Sequence, residues 1–156
     1  MSEGLVFPAS AVALDGRALL IEGPPGSGKS SLALALIEAG AGLIGDDAVT
    51  LTPAKGALVA SPPPNIGGLL EVRGVGLVSL PLAPPAPVAL LLTLGGPSPE
   101  RLPELPIPTR RIAGIAVPVL GFEPGTIAPA ARAVWALRCH GLVFEPAFHR
   151  SPGASQ

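Results

Sequence analysis

The chain has 156 residues, enough for about one domain with a real core. Apolar residues make up 48% and charged ones 13%; the net charge is −1 and the ten Lys and Arg are scattered, so there is no electrostatic footprint for nucleic acid. The lone Cys139 excludes an intrachain disulfide or a cysteine metal site, and the longest apolar run, VALLLTL at 88–94, falls far short of the roughly 20 residues of a membrane span.

The start, MSEGLVFPAS, carries Glu3 and no basic residue ahead of its apolar stretch, unlike a signal peptide, so a soluble, cytoplasmic protein is expected. Twenty glycines and 21 prolines punctuate the apolar runs, which implies tight turns between short buried elements. AVALDGRALLIEG predicts two strands joined at Asp15-Gly16, because a type I′ hairpin turn needs positive φ at both central residues. The second strand, from Ala18 to Glu22, runs into EGPPGSGKSS.

From Lys29 the pattern becomes helical, with Leu32 and Leu36, and Ala33 and Ile37, at four-residue spacing and Gly40 as the C′ glycine. GLIGDDAVTL reads as a short strand ending in two aspartates, followed by a hairpin turning at 53–56 and returning through ALVA. SPPPNIGG must be loop, since consecutive prolines leave no donors. LLEVRGVGLVSLP is apolar with Glu71 and Arg73 embedded. VALLLTL is a buried strand, PSPERLPELPIPTRR a proline-broken connection, and IAGIAVPVL a strand whose Pro118 favours an edge. IAPAARAVWALRCHG carries Ile127, Ala131, Val134, Trp135 and Leu137 near helical period; it ends at Gly141 and places Cys139 as a buried small hydrophobe. Residues 1–145 are read as one ATP-binding domain and 146–156 as a polar tail, with no repeat.

GPPGSGKS, Gly23 to Ser30, matches G-x-x-x-x-G-K-[ST] in full, between an apolar strand and a helix. Wrapping a phosphate takes several backbone N–H groups at once; glycines permit the approach, and the helix start adds oriented donors. Gly23, Pro24, Pro25, Gly26, Ser27, Gly28, Lys29, Ser30 and Ser31 are therefore the candidate nucleotide-binding residues. Lys29 reaches the β- and γ-phosphates and Ser30 offers its hydroxyl to Mg²⁺, so ATP with Mg²⁺ is the expected ligand. Asp46 and Asp47 follow Ser30 by sixteen residues or so. Adjacent strand residues face opposite sides, so one carboxylate can support the metal while the other accepts a proton. Taken without the loop, the pair would be an ordinary strand-end turn.

The stretches GPPGSGKSSLALALIEAGAGLIGDDAV and EVRGVGLVSL, with the weaker ERLPE, resemble the bacterial HPr kinase/phosphorylase family, specifically its catalytic domain in the short proteobacterial form that lacks the N-terminal domain. That resemblance runs from about residue 5 to 140. It implies an α/β fold, a phosphate-loop nucleotide-binding domain with a mixed β-sheet similar to the nucleotide domain of phosphoenolpyruvate carboxykinase. It implies further an ATP-dependent serine kinase acting on HPr, a phosphocarrier of the sugar phosphotransferase system, and a hexamer. By position, Lys29 would hold phosphate, and Ser30, Asp46 and Glu71 would serve the metal. Asp47 would be the base, and Arg101 would stabilise charge on the transferring phosphoryl group. Read on residues alone, Glu71 and Arg73 share a strand face and could simply pair, and Arg101 is a solvated loop charge.

Three positions depart from the family pattern. Pro8 stands where the family has histidine, and Ala48 where it usually has arginine; LGFEPGTIAP replaces a basic loop linked to dephosphorylation. His140 and His149 do not substitute for the missing histidine. The expectation is a kinase with weak or absent phosphorylase activity; the alternative is a nucleotide-binding regulator that has lost catalysis. A small-metabolite kinase is disfavoured because no arginine-rich lid is evident.

Overall fold

Residues 4–64 and 68–144 are described by the computed structural model. His149 and the tail from 146 to 156 lie outside them. Thirteen elements follow in chain order: β1 Leu5–Phe7, β2 Ser10–Leu14, β3 Arg17–Glu22, α1 Lys29–Glu38, β4 Gly42–Gly45, β5 Val49–Ala54, β6 Ala57–Ser61, β7 Leu69–Val72, β8 Gly76–Ser79, β9 Ala86–Thr93, β10 Thr109–Ile112, β11 Ile115–Gly121 and α2 Pro129–His140.

The expected α/β architecture with a mixed sheet is present. Nine strands form one sheet in the order β1-β5-β6-β9-β3-β2-β4, with β11 and then β10 branching from β9. β3 runs parallel to β9, and β9 parallel to β11, while β2 lies antiparallel to β3. One edge of β9 has two neighbours: β6 pairs at Ala86 and Pro87, and β11 at Leu91 to Thr93. Side chains from the two faces of β3 and β9 feed separate cores. Leu19, Ile21, Leu90 and Leu92 pack under the helices with Leu32, Leu36 and Leu137, whereas Leu20, Val88 and Leu91 pack with Ile44, Leu51 and Leu58. Burial on both sides is why β9 is an unbroken apolar run rather than an alternating one.

The turns follow the local chemistry. Asp15 and Gly16 have φ of 55° and 75°, as a type I′ turn demands, and Lys55 and Gly56 repeat it at 54° and 78°. Helix α1 ends as the sequence indicates. Gly40, at φ 114°, donates to the Ile37 carbonyl and Ala41 donates to Leu36, the paired bonds of a Schellman motif.

Several expectations need correction. β1 and β10 are strands that the sequence reading did not single out; β10 joins β11 through Ala113-Gly114, a third turn with both φ positive. β11 is not an edge strand, since β10 covers one side. Pro118 is tolerated because it sits where pairing passes from β10, which ends at Pro118, to β9, which begins at Val119. Trp135, 58% exposed, and Ile127 lie outside the core. α2 buries only Ala133, Ala136 and Leu137. Cys139 is exposed, a consequence of its position on the solvent face of α2. Arg73 lies past the end of β7 in the turn to β8, so it and Glu71 do not share a strand face.

Candidate functional site

The phosphate-loop segment spans the gap between the C-terminal end of β3 and the start of α1. Glycine is required at two points for different reasons. A Cβ at Gly23 would meet Ser27 Oγ at 2.6 Å and the Leu94 carbonyl oxygen at 2.9 Å, so only hydrogen fits. Gly28 is the residue before α1 and takes φ 99°, a left-handed value that glycine adopts without strain. No side chain caps α1, so its first N–H groups remain available to a bound anion. Lys29 Nζ donates to the carbonyls of Gly23 at 2.9 Å and Pro24 at 3.4 Å, which folds the ammonium back over the loop it belongs to.

β4 runs antiparallel to β2 and carries the two aspartates past its end, opposite the start of α1. A sharp bend follows, because a Cβ at Gly45 would lie 2.5 Å from the Ala48 carbonyl oxygen. Asp47 itself takes φ 66°. The strand alternation is therefore broken at the pair, and the two carboxylates separate. Asp46 Oδ1 accepts from Ser30 Oγ at 2.8 Å and from Ser10 Oγ at 2.8 Å. Asp47 instead lines a cleft of about 520 Å³ together with Pro25, Gly26, Gly28, Lys29, Ser30, Ser31, Glu71 and Arg73. The carboxyl of Asp47 is held above its ordinary pKa, first by loss of water around it and then by the charges of Asp46 and Glu71, against a lowering pull from Lys29. Asp47 stays open to the cleft, so what matters is the sign: it is readier than an ordinary aspartate to take a proton.

The β7–β8 hairpin forms its own two-stranded sheet, fastened by Leu70, which is fully buried beneath α1. With Leu70 inward, Glu71 turns outward into the cleft, and the following turn brings Arg73 there too. The expected loop residues, Ser30, Asp47 and Glu71 thus surround one space, and Asp46 stands behind Ser30 without lining it. Arg101 is exposed in the 95–108 connection and lies outside this cleft; Arg73 occupies the cationic position in its place.

The oxygen donors fit Mg²⁺. It takes one or two carboxylates alongside substrate phosphates, and a serine hydroxyl backed by Asp46 with Glu71 across the cleft supplies that chemistry. Among the described residues no cluster of three or more His, Cys, Asp or Glu could hold a metal alone, as a shared protein–phosphate site requires.

Two residues escaped the sequence reading. Arg110, read as a solvated charge, makes a two-pronged pair with Glu22 at 2.9 and 2.7 Å, anchoring the last residue before the loop to β10. Ser10 is fully buried, donates to Asp46 and accepts the Asp47 N–H at 3.2 Å. Nothing in the sequence marks it, because its partners are 36 and 37 residues away. Ser10→Ala should cost about 1–3 kcal/mol by leaving the Asp47 amide unpaired. Chemical denaturation measures it; a loss under a few tenths would mean that water replaces the hydroxyl.

A family model described as the HPr Serine kinase C-terminal domain matches residues 3–82. The HPr kinase/phosphorylase of Clostridium tetani (strain Massachusetts / E88) is 46% identical over 66 residues, covering 42% of this chain and 22% of that protein. The HPr kinase/phosphorylase of Bordetella pertussis (strain Tohama I / ATCC BAA-589 / NCTC 13251) is 48% identical over 66 residues, covering 42% and 21%. The chain thus matches little more than a fifth of the length of these curated relatives. The solved structure of the Hpr(Ser) kinase/phosphatase from Coxiella burnetii matches with a TM-score of 0.71 and 29% identity over 86% of this chain and 89% of that one. Among the described residues no helix is long and apolar enough to cross a membrane.

Proposed function

The chain belongs to the HPr Serine kinase C-terminal domain family, and on that premise we propose that it is an ATP-dependent kinase for a serine of an HPr-type phosphocarrier protein. The observation that carries this reading is the single cleft in which Lys29, Ser30, Asp47, Glu71 and Arg73 face one another. Main-chain amides of the loop cradle the triphosphate, and Lys29 swings from its carbonyl partners to the β- and γ-phosphates. Ser30 and Glu71, with Asp46 oriented through Ser30, hold Mg²⁺, which supplies charge neutralisation at the transferring phosphoryl group. Asp47 accepts the proton of the substrate serine hydroxyl. That oxygen forms its bond to the γ-phosphorus as the bond to the bridging oxygen breaks, and ADP leaves. Arg73 faces the developing charge; Arg101 joins it only if the 95–108 connection moves.

The reverse chemistry, attack of inorganic phosphate on serine phosphate to give pyrophosphate, needs a second anion beside the first. Pro8 is exposed and offers no proton, Ala48 offers no charge, and Glu123 brings a negative charge to the later loop. Phosphorolysis is therefore weak or absent. The same two substitutions favour a second reading, a regulator that binds nucleotide without transferring phosphate. Incubating the protein with HPr, ATP and Mg²⁺ and weighing HPr decides between them. A gain of one phosphate on a serine is the expected result; nucleotide binding without any gain leaves only the regulator. Serine-phosphorylated HPr should release its phosphate little faster than without the protein, and brisk release would contradict the weak phosphorolysis. Association as a hexamer is testable by light scattering on the same material.

A further inference from the structure

The phosphate loop has a second face. Gly26, Gly28 and Ser31, which line the cleft holding Asp47, also line a separate cleft of about 530 Å³ on the other side of the loop. Its far walls are the 95–99 segment, with Gly96, Ser98 and Pro99, and the 122–125 segment, with Phe122, Glu123 and Pro124. A ligand whose phosphates rest on the loop can extend only into a space that borders it, and this one is of small-molecule size. We propose that this second cleft holds the nucleoside of the bound nucleotide, and that it accepts either purine base with little preference.

The lack of preference follows from what lines the walls. Proline rings, glycine backbone and Phe122 supply apolar contact that is indifferent to the base edge. On the 122–127 side the main-chain acceptors are already occupied. Arg132 donates to the carbonyls of Glu123 at 3.0 Å, of Pro124, and of Ile127 at 2.8 Å, and its guanidinium lies 5.0 Å from the Phe122 ring centre. That clamp fixes the wall and removes acceptors that could read an exocyclic amine. Ser98 and Glu123 remain as polar side chains, both exposed and suited to sugar hydroxyls. Strong base discrimination arises where buried polar groups would be left unpaired by the wrong ligand, and this cleft has no such group on its far walls.

The inference rests on the nucleotide reading above, and one set of titrations separates the two. Mg²⁺ complexes of ATP, GTP and tripolyphosphate are titrated calorimetrically into the intact protein, into Gly96→Leu and into Ser98→Trp. A Cβ at Gly96 meets nothing within 4 Å, so a leucine side chain there has room to enter the cleft, and Ser98→Trp fills it from a position that already carries a side chain. Thermal melts establish that each variant is folded, and one folded variant suffices. Expected is binding of ATP and GTP within about tenfold of each other. A plugged cleft should weaken both nucleotides by about tenfold or more and leave tripolyphosphate unchanged. Nucleotide affinity that survives both plugs, or a base preference well above tenfold, overturns this proposal alone. Absence of binding by all three ligands overturns the nucleotide reading together with it.

Discussion

Replacing Asp47 with asparagine will remove phosphoryl transfer to HPr, by roughly 10²–10⁴-fold, while nucleotide binding persists. The asparagine keeps the shape of the side chain but cannot accept the serine proton. Its backbone also suits the site, because φ of 66° is a conformation asparagine adopts more readily than most residues. Stability should not fall. The Asp47 carboxyl is raised above its unfolded value, first by desolvation and then by Asp46, so its ionisation opposes folding. That penalty is absent at low pH, where the group is protonated in both states, and is fully present above the folded pKa. Asp47→Asn is therefore at least as stable as the parent at neutral pH, and the difference closes on acidification. The same shift predicts an acid limb in kcat/KM above the ordinary aspartate value of about 3.9, carried by Asp47. Wild-type rates of HPr phosphorylation in the asparagine variant would assign the base elsewhere.

Lys29→Ala will weaken binding of Mg²⁺-ATP by about a hundredfold or more, since an ammonium on phosphate contributes roughly 1.5–3 kcal/mol per bond. Equilibrium titration reads this directly. Lys29 also ties α1 to the Gly23 and Pro24 carbonyls, so the variant loses two bonds that shape the loop. A thermal melt separates the two effects, because α1 is secured independently by Leu32 and Leu36 in the core. Lys29→Arg should not restore affinity, as a planar fork cannot take the place of a compact ammonium folded over its own loop. Undiminished binding by a folded Lys29→Ala protein would detach the loop from phosphate recognition.

The family model covers residues 3–82, and the site divides along the same line. The loop, both aspartates and Glu71 all fall inside it, and the first cleft is built wholly from that part. The second cleft takes most of its walls from 95–125, beyond the matched stretch. Chemistry at the γ-phosphate and accommodation of the nucleoside are therefore carried by different segments of the chain, joined at Gly26, Gly28 and Ser31.

Local chemistry was enough to read the phosphate loop, helix α1 with its glycine stop, the Asp15-Gly16 hairpin and the buried run of β9. Each depends on residues a few positions apart, through φ preferences, helical spacing or a main-chain cradle. Other features needed the folded chain. The separation of Asp46 from Asp47 arises from a bend that Gly45 permits and that Ser10, 36 residues upstream, secures. Arg73 enters the cleft because Leu70 is buried under α1, whereas no comparable anchor brings Arg101 there. The edge strand is β10 rather than the proline-bearing β11, because the missing Pro118 N–H falls where one neighbour ends and the next begins. Exposure of Cys139 and Trp135 likewise depends on which face α2 turns to the sheet. Amino-acid order alone identifies a group that binds anions; which distant side chains converge on that anion is set by packing, since burial and pairing are properties of the assembled layers.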